Sequence, residues 1–276
     1  LRTKFKNESK FVNGVEIVTT DADAYYLVTT PDEHYEQIRT MLIEGKHVLC
    51  ESPIASSGKE CKELFELAKK QKCVLMEGIK TAYSTAYSRL LLLAKSGEIG
   101  KIVSVDATCT SMRDDLDSLE NKWNSISAWG PTALLPIFQL LGINYTDKKI
   151  ISHYIDDDKM FDGFTKIDFI YPDSVASIKV AKTAKSEGEL IITGTKGYIY
   201  VPAPWWKTDY FEIRYEDPTE NKRYFYKLDG EGIRYEIVAF NRSIESGKNY
   251  SYIDSKISIA ISEIIEACKS NNVIEI

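Results

Sequence analysis

A parallel α/β unit followed by an open, mostly antiparallel α+β unit is the fold class this sequence predicts, and three observations point to it. Up to residue 101, short apolar runs alternate with amphipathic helical stretches. From Ile102 onward, strand-like runs follow one another with turn signals between them and few helices. At 276 residues the chain also exceeds what one hydrophobic core comfortably serves, so two units, 1–101 and 102–276, are expected.

In the first unit, residues 24–29 form an apolar, β-prone run closed by Thr30-Pro31. Asp32 is placed to cap a helix whose stripe carries Ile38, Met41 and Leu42, with Gly45 after its last turn. Residues 47–50 are the next run. Ser56 or Ser57 opens a second helix with Cys61, Leu64, Phe65 and Ala68 on one face and Lys and Glu on the other. Residues 73–76 are a third apolar run, followed by a further helix. Short apolar runs separated by amphipathic helices fit parallel strands, which are covered on both faces.

In the second unit, strands are expected at 102–108, 175–181, 189–192, 198–201, 210–215 and 223–228. Gly194-Thr195-Lys196-Gly197, Asp217-Pro218 and Asp229-Gly230 supply the turns. Two amphipathic helices close the chain. One carries Ile233, Ile237, Phe240 and Ile244 and stops at Gly247; the other carries Ile257, Ile261, Ile264, Ile265 and Cys268.

Composition narrows the function classes. Lys plus Arg 35 against Asp plus Glu 41 leaves a net charge of −6, with no basic surplus to neutralise phosphates, so nucleic acid is not an expected partner. The near-apolar run 90–94 falls far short of the roughly 20 residues that span a bilayer, so no membrane partner is expected. Five cysteines, odd in number and without a Cys-x-x-Cys, read as buried small residues in a reducing cytoplasm. Only His34, His47 and His153 are present, and neither they nor Asp156-Asp157-Asp158 have metal-ligand spacing, so no metal is expected.

Two stretches carry more information: Val28-Thr29-Thr30-Pro31-Asp32-Glu33-His34, and Gly45-Lys46-His47-Val48-Leu49-Cys50-Glu51-Ser52-Pro53. They resemble the glucose-fructose oxidoreductase/inositol dehydrogenase family, Gfo/Idh/MocA. Its pattern is a strand ending in Thr-Pro, a downstream His, then Gly-Lys-His-Val-Leu-Cys-Glu-Lys-Pro. Ser96 to Ile102, Gly194 to Ile199 and Gly232 to Gly247 extend the likeness toward the C-terminus. The resemblance implies a partial Rossmann-like dinucleotide-binding unit in 1–101 and an open-sheet substrate or oligomerisation unit in 102–276. It implies NAD or NADP as cofactor and a sugar or polyol as substrate. By resemblance Thr29, Thr30, Pro31, His34, Glu51 and Pro53 line the cofactor cleft; a packed or capping His34, a structural Pro53 and a locally satisfied Glu51 are the alternative readings.

The acid–base positions depart from the family. Where it has the Lys of Glu-Lys-Pro this chain has Ser52, and where it has Asp-Trp-Gly-Pro-His this chain has Ala128-Trp129-Gly130-Pro131-Thr132. Ala128 replaces the Asp and Thr132 the His, so three groups that help move the hydroxyl proton are gone. Lys80 and Tyr83 are the nearest candidate substitutes. No Gly-x-Gly-x-x-Gly turn occurs in the chain; the resemblance places it upstream of Leu1, unless a partner fills the gap. The expectation is therefore an impaired or altered family member acting as a ligand-binding or assembly subunit. An active sugar, inositol or dihydrodiol dehydrogenase using substituted residues is the alternative. The aromatic density from Tyr198 to Tyr226 suggests a homo-oligomer formed through the open sheet, against the alternative of a monomer core.

Overall fold

Two sheets organise the chain in the computed structural model, which describes residues 22–112, 123–158, 161–270 and 272–276. Residues 1–21 of the expected first unit lie outside the described residues. The smaller sheet is β1 (Ala24–Leu27), β2 (His47–Glu51) and β3 (Leu75–Gly78), all parallel and in that order. Between its strands run α1 (Pro31–Ile43) and α2 (Gly58–Gln71), and α3 (Thr85–Lys95) follows.

Side chains on β2 alternate as a doubly covered strand requires. Val48 and Cys50 join Ile38, Met41 and Leu42 of α1 and Cys61 and Leu64 of α2 in one core. Leu49 and its neighbour Met76 face the opposite core, where Ala239 and Phe240 arrive from a C-terminal helix. Ser57 opens α2 by accepting from the Glu60 N–H at 3.2 Å. Asp32 does not cap α1. Thr30 occupies the cap without a side-chain bond, and Pro31, which has no N–H to satisfy, takes the first position. The third strand begins at Leu75 rather than residue 73, because Cys73 N–H closes the end of α2 on Ala68 O.

The larger sheet has the order β11-β10-β9-β8-β4-β7-β6-β5-β12. Its strands are β4 (Ile102–Thr110), β5 (Asp147–Tyr154), β6 (Asp162–Ile170), β7 (Val175–Ala181), β8 (Leu190–Gly194), β9 (Tyr198–Val201), β10 (Tyr210–Arg214), β11 (Lys222–Phe225) and β12 (Val273–Glu275). Most pairings are antiparallel, but β4 with β7 and β5 with β12 are parallel. Gly194, the last residue of β8, packs so closely on the segment ahead of β4 that a Cβ there would stand 2.1 Å from Ile99 O.

Beneath one face of this sheet lies α4 (Ser125–Leu141), which the residue pattern did not reveal because Pro131 and Pro136 interrupt it. Interior proline costs about 3 kcal/mol. Against that stand Leu134, Leu135, Ile137 and Phe138, all buried, at roughly 1.5–3 kcal/mol each. Burial outweighs propensity here. The helix starts where Asn124 Oδ1 accepts from Ser127 N–H at 3.0 Å and the Asp162 carboxylate from Ile126 N–H at 3.1 Å. Last come α5 (Ile233–Ser246) and α6 (Ser255–Ala267).

The aromatic segment divides between both readings. Trp205 and Phe211 fill the core, and Tyr224 stacks on Phe211 at 4.7 Å. Tyr198, Tyr200 and Tyr210 are half-buried with Arg214 above Tyr200, and Phe225 is exposed.

Candidate cofactor cleft

Open α/β sheets bind ligands outside the carboxyl ends of their strands, and β1, β2 and β3 end side by side. Five of the six sequence-nominated cofactor residues meet there as one linked cluster. His34 is fully buried, with Nδ1 2.7 Å from Pro53 O and Nε2 3.0 Å from Thr29 O, so its ring staples the end of β1 to the turn after β2. Burial lowers its pKa, opposed by the two carbonyls. Thr29 Oγ1 donates to Gln37 Oε1 at 2.6 Å, while Thr30 and Pro31 form the start of α1.

Glu51, the sixth, belongs to a different set. The Tyr26 hydroxyl donates to Glu51 Oε1 and lies 3.4 Å from Glu236 Oε1 on α5. Glu236 is fully buried, and its Oε2 has no hydrogen-bond partner among the described residues. That oxygen sits 3.6 Å from where a Cβ on Gly78 would stand, within ordinary van der Waals contact of the end of β3. Burial, then the charge of Glu51, pushes the Glu236 pKa up to about 8; Tyr26 and Lys80 oppose the shift. The Tyr26 phenol is itself raised by burial and by Glu51.

Ser52 Oγ donates to Glu77 Oε1 at 2.6 Å. Glu77 is buried, and burial raises its pKa against the hydroxyls of Ser258 and Ser52 and the Ile54 N–H. Ala128 and Thr132 lie half-buried one turn apart on α4, flanking Trp129, whose ring packs 4.9 Å from Trp206. Among the described residues no hydrogen bond or ion pair joins either to Ser52. Lys80 is paired at 2.9 Å with Glu231, which also holds Lys207. Tyr83 is buried, with its hydroxyl 3.2 Å from Ser251 Oγ and its phenol pKa raised by burial. His153 sits apart, against Ile276 O. Among the described residues no three His, Cys, Asp or Glu side chains gather as a metal site would require.

Sequence reasoning missed Tyr26, Glu77 and Glu236 as site residues. The signal for Glu236 was its spacing, three after Ile233 and four before Phe240, on the stripe that faces inward. The expected stripe through Ile237 is displaced: Glu236, Ala239, Phe240 and Ser243 are buried, and Ile237 is 37% exposed.

Residues 2–79 match the family described as oxidoreductase, NAD-binding Rossmann fold. The scyllo-inositol 2-dehydrogenase (NADP(+)) IolU of Bacillus subtilis is 40% identical over 76 residues, which are 27% of this chain and 23% of that enzyme. The D-xylose 1-dehydrogenase (NADP(+)) of Hypocrea jecorina is 30% identical over 86 residues, 31% of this chain and 22% of that enzyme, so these two matches span less than a quarter of the relatives' own lengths. A longer match, 24% identity over 257 residues, joins 89% of the chain to 76% of the trans-1,2-dihydrobenzene-1,2-diol dehydrogenase of Oryctolagus cuniculus. In fold, the chain matches KijD10, a 3-ketoreductase from Actinomadura kijaniata solved with NADP and TDP-benzene. The TM-score is 0.82 at 16% identity, over 96% of this chain and 82% of that one.

Proposed function

Because residues 2–79 match the Gfo/Idh/MocA oxidoreductase family, we propose that the chain holds NAD or NADP across the ends of β1, β2 and β3 with a sugar or polyol alongside, and that the family's proton route is missing from it. The chain resembles NAD(P)-dependent sugar oxidoreductases. The strand ends fit the ribose–nicotinamide part of such a cofactor. Glu51 stands at the end of β2, and an unsatisfied buried oxygen of Glu236 stands over the end of β3. The nicotinamide supplies hydride exchange when bound; the described residues would orient its ribose and hold charge beside it.

One observation carries the altered proton chemistry. The side chain at the family's lysine position is a hydroxyl, and its proton is already committed to Glu77. A serine hydroxyl is too weakly basic near neutral pH to take up a substrate proton itself, and Ala128 has no ionisable group. Loss of general acid–base help costs roughly 100- to 10,000-fold in rate. Binding is followed by nicotinamide fluorescence with NADH and NADPH, and hydride transfer is assayed over sugars, inositols and dihydrodiols. Binding with turnover depressed by that factor supports the proposal. Rapid turnover, whether or not it survives Ser52→Ala, overturns the proton-route claim, and no binding overturns the cofactor reading.

The open face of the larger sheet, with Tyr198, Tyr200 and Arg214 half-buried on it, supports a homo-oligomer. The five cysteines are free, which supports a reducing compartment such as the cytoplasm. Among the described residues, no helix is long and apolar enough to cross a membrane.

A further inference from the structure

Three oxygens from three elements converge at the cleft: the Tyr26 hydroxyl of β1, the Glu51 carboxylate of β2 and the Glu236 carboxyl of α5. The tyrosine has a single proton, and it is given to Glu51. An ionised Glu236 would then point Oε1 at a phenol oxygen with no proton left for it. A protonated Glu236 instead donates to that oxygen and completes a chain, Glu236 to Tyr26 to Glu51. Its other oxygen is buried over Gly78 and has no hydrogen-bond partner among the described residues to offset a charge. We propose that Tyr26, Glu51 and Glu236 form one proton-sharing unit that reads the charge of the nicotinamide ring, so that the oxidised dinucleotide binds with release of a proton and the reduced one without. This rests on the cofactor reading above.

The direction follows from charge. The oxidised ring is cationic and the reduced ring neutral, so only the oxidised form favours the unit's doubly ionised state. Among the described residues, the groups facing Glu236 are few. Tyr26 comes from β1, Glu51 from β2, the side-chain-less Gly78 from β3, and Lys80 and Tyr83 from the turn after it. Lys80 is the one cation among them, and Glu231 holds it. The carboxyl pair is therefore left with unbalanced negative charge. Burial has already brought Glu236 to about 8, where it holds a proton that a neighbouring cation can expel. By linkage, oxidised-dinucleotide affinity rises with pH. Lowering the Glu236 pKa by about one on binding corresponds to about tenfold tighter binding at pH 9 than at pH 6.5.

The test measures dissociation constants for NAD, NADP and their reduced forms at pH 6.5 and 9. Calorimetry in two buffers of different ionisation heat counts the protons released near pH 8. The expected result is about 0.4 of a proton released with the oxidised form and none with the reduced. In Glu236→Gln, which keeps the shape of the protonated carboxyl, the release and the pH dependence disappear. In Tyr26→Phe, which leaves both carboxyls, the release shifts along the pH axis. Binding of the oxidised form without proton release, or release unchanged in Glu236→Gln, overturns this inference alone. Absence of dinucleotide binding at every pH overturns it together with the cofactor reading.

Discussion

Ser52 and Glu77 are joined by a 2.6 Å hydrogen bond in which the hydroxyl donates to Oε1. The bond ties the turn after β2 to β3 and leaves the Ser52 hydroxyl neutral and engaged.

Removing that donor takes one of its hydrogen bonds from a buried carboxyl. Ser52→Ala is expected to cost about 1–3 kcal/mol of stability, read as a lower urea midpoint with an unchanged slope. A midpoint equal to that of the parent protein would mean that Glu77 does not depend on this serine.

Asp162 gives a pH signature. Burial raises its pKa to about 7 despite bonds from Thr165 and from the Ile126 N–H that begins α4. A carboxyl whose folded pKa lies above its unfolded value favours the fold in its protonated form. Below about pH 4 both states hold the proton and there is no penalty. Between about 4 and 7 the unfolded chain ionises first, so stability falls, and above 7 the loss is constant. Across that window the stability of the parent relative to Asp162→Asn should fall by a few kcal/mol, at roughly 1.4 kcal/mol for each step of one in pH. A flat difference in chemical denaturation from pH 4 to 7 would sink the assignment.

Glu231 and Gly232 sit side by side with opposite expected sensitivity. Glu231 is solvent-exposed in its pairing with Lys80 and Lys207, so Glu231→Gln should change stability by less than about 1 kcal/mol. Gly232 has φ +92°, and a Cβ there would stand 2.8 Å from Lys80 O. Gly232→Ala should cost at least about 1–3 kcal/mol, visible as a lower melting temperature. Equal effects of the two variants would contradict the close approach of backbone to backbone at this point.

The open sheet face makes the fourth case. Tyr200 lies half-buried beneath the Arg214 guanidinium, 4.5 Å from its ring centroid. Tyr200→Asp should leave the far-ultraviolet spectrum intact and lower the mass measured by light scattering from oligomer to monomer. A parent protein that is already monomeric at micromolar concentration ends the oligomer proposal.

Much of the architecture was legible locally. Residues 47–50 and 73–76 read as strands because doubly covered parallel strands must be apolar on both faces. Helix α4 and its neighbours β5 and β6 were not legible. Two prolines hide the first, and strands such as β6, with Lys166 and Asp168 on one side, carry one buried face and one charged face. Pairing partners far along the chain decide which face is which.

Sequence alone determined the family resemblance and that serine, alanine and threonine stand at positions 52, 128 and 132, because side-chain identity needs no coordinates. Tertiary structure alone decided that Lys80 is held by Glu231, that Ser52 is engaged by Glu77, and that Glu236 shares Tyr26 with Glu51. Tyr26 and Glu236 are 210 residues apart. Only the return of α5 to the parallel sheet brings those oxygens together, and the desolvation that raises the carboxyl's proton affinity exists only once both are packed.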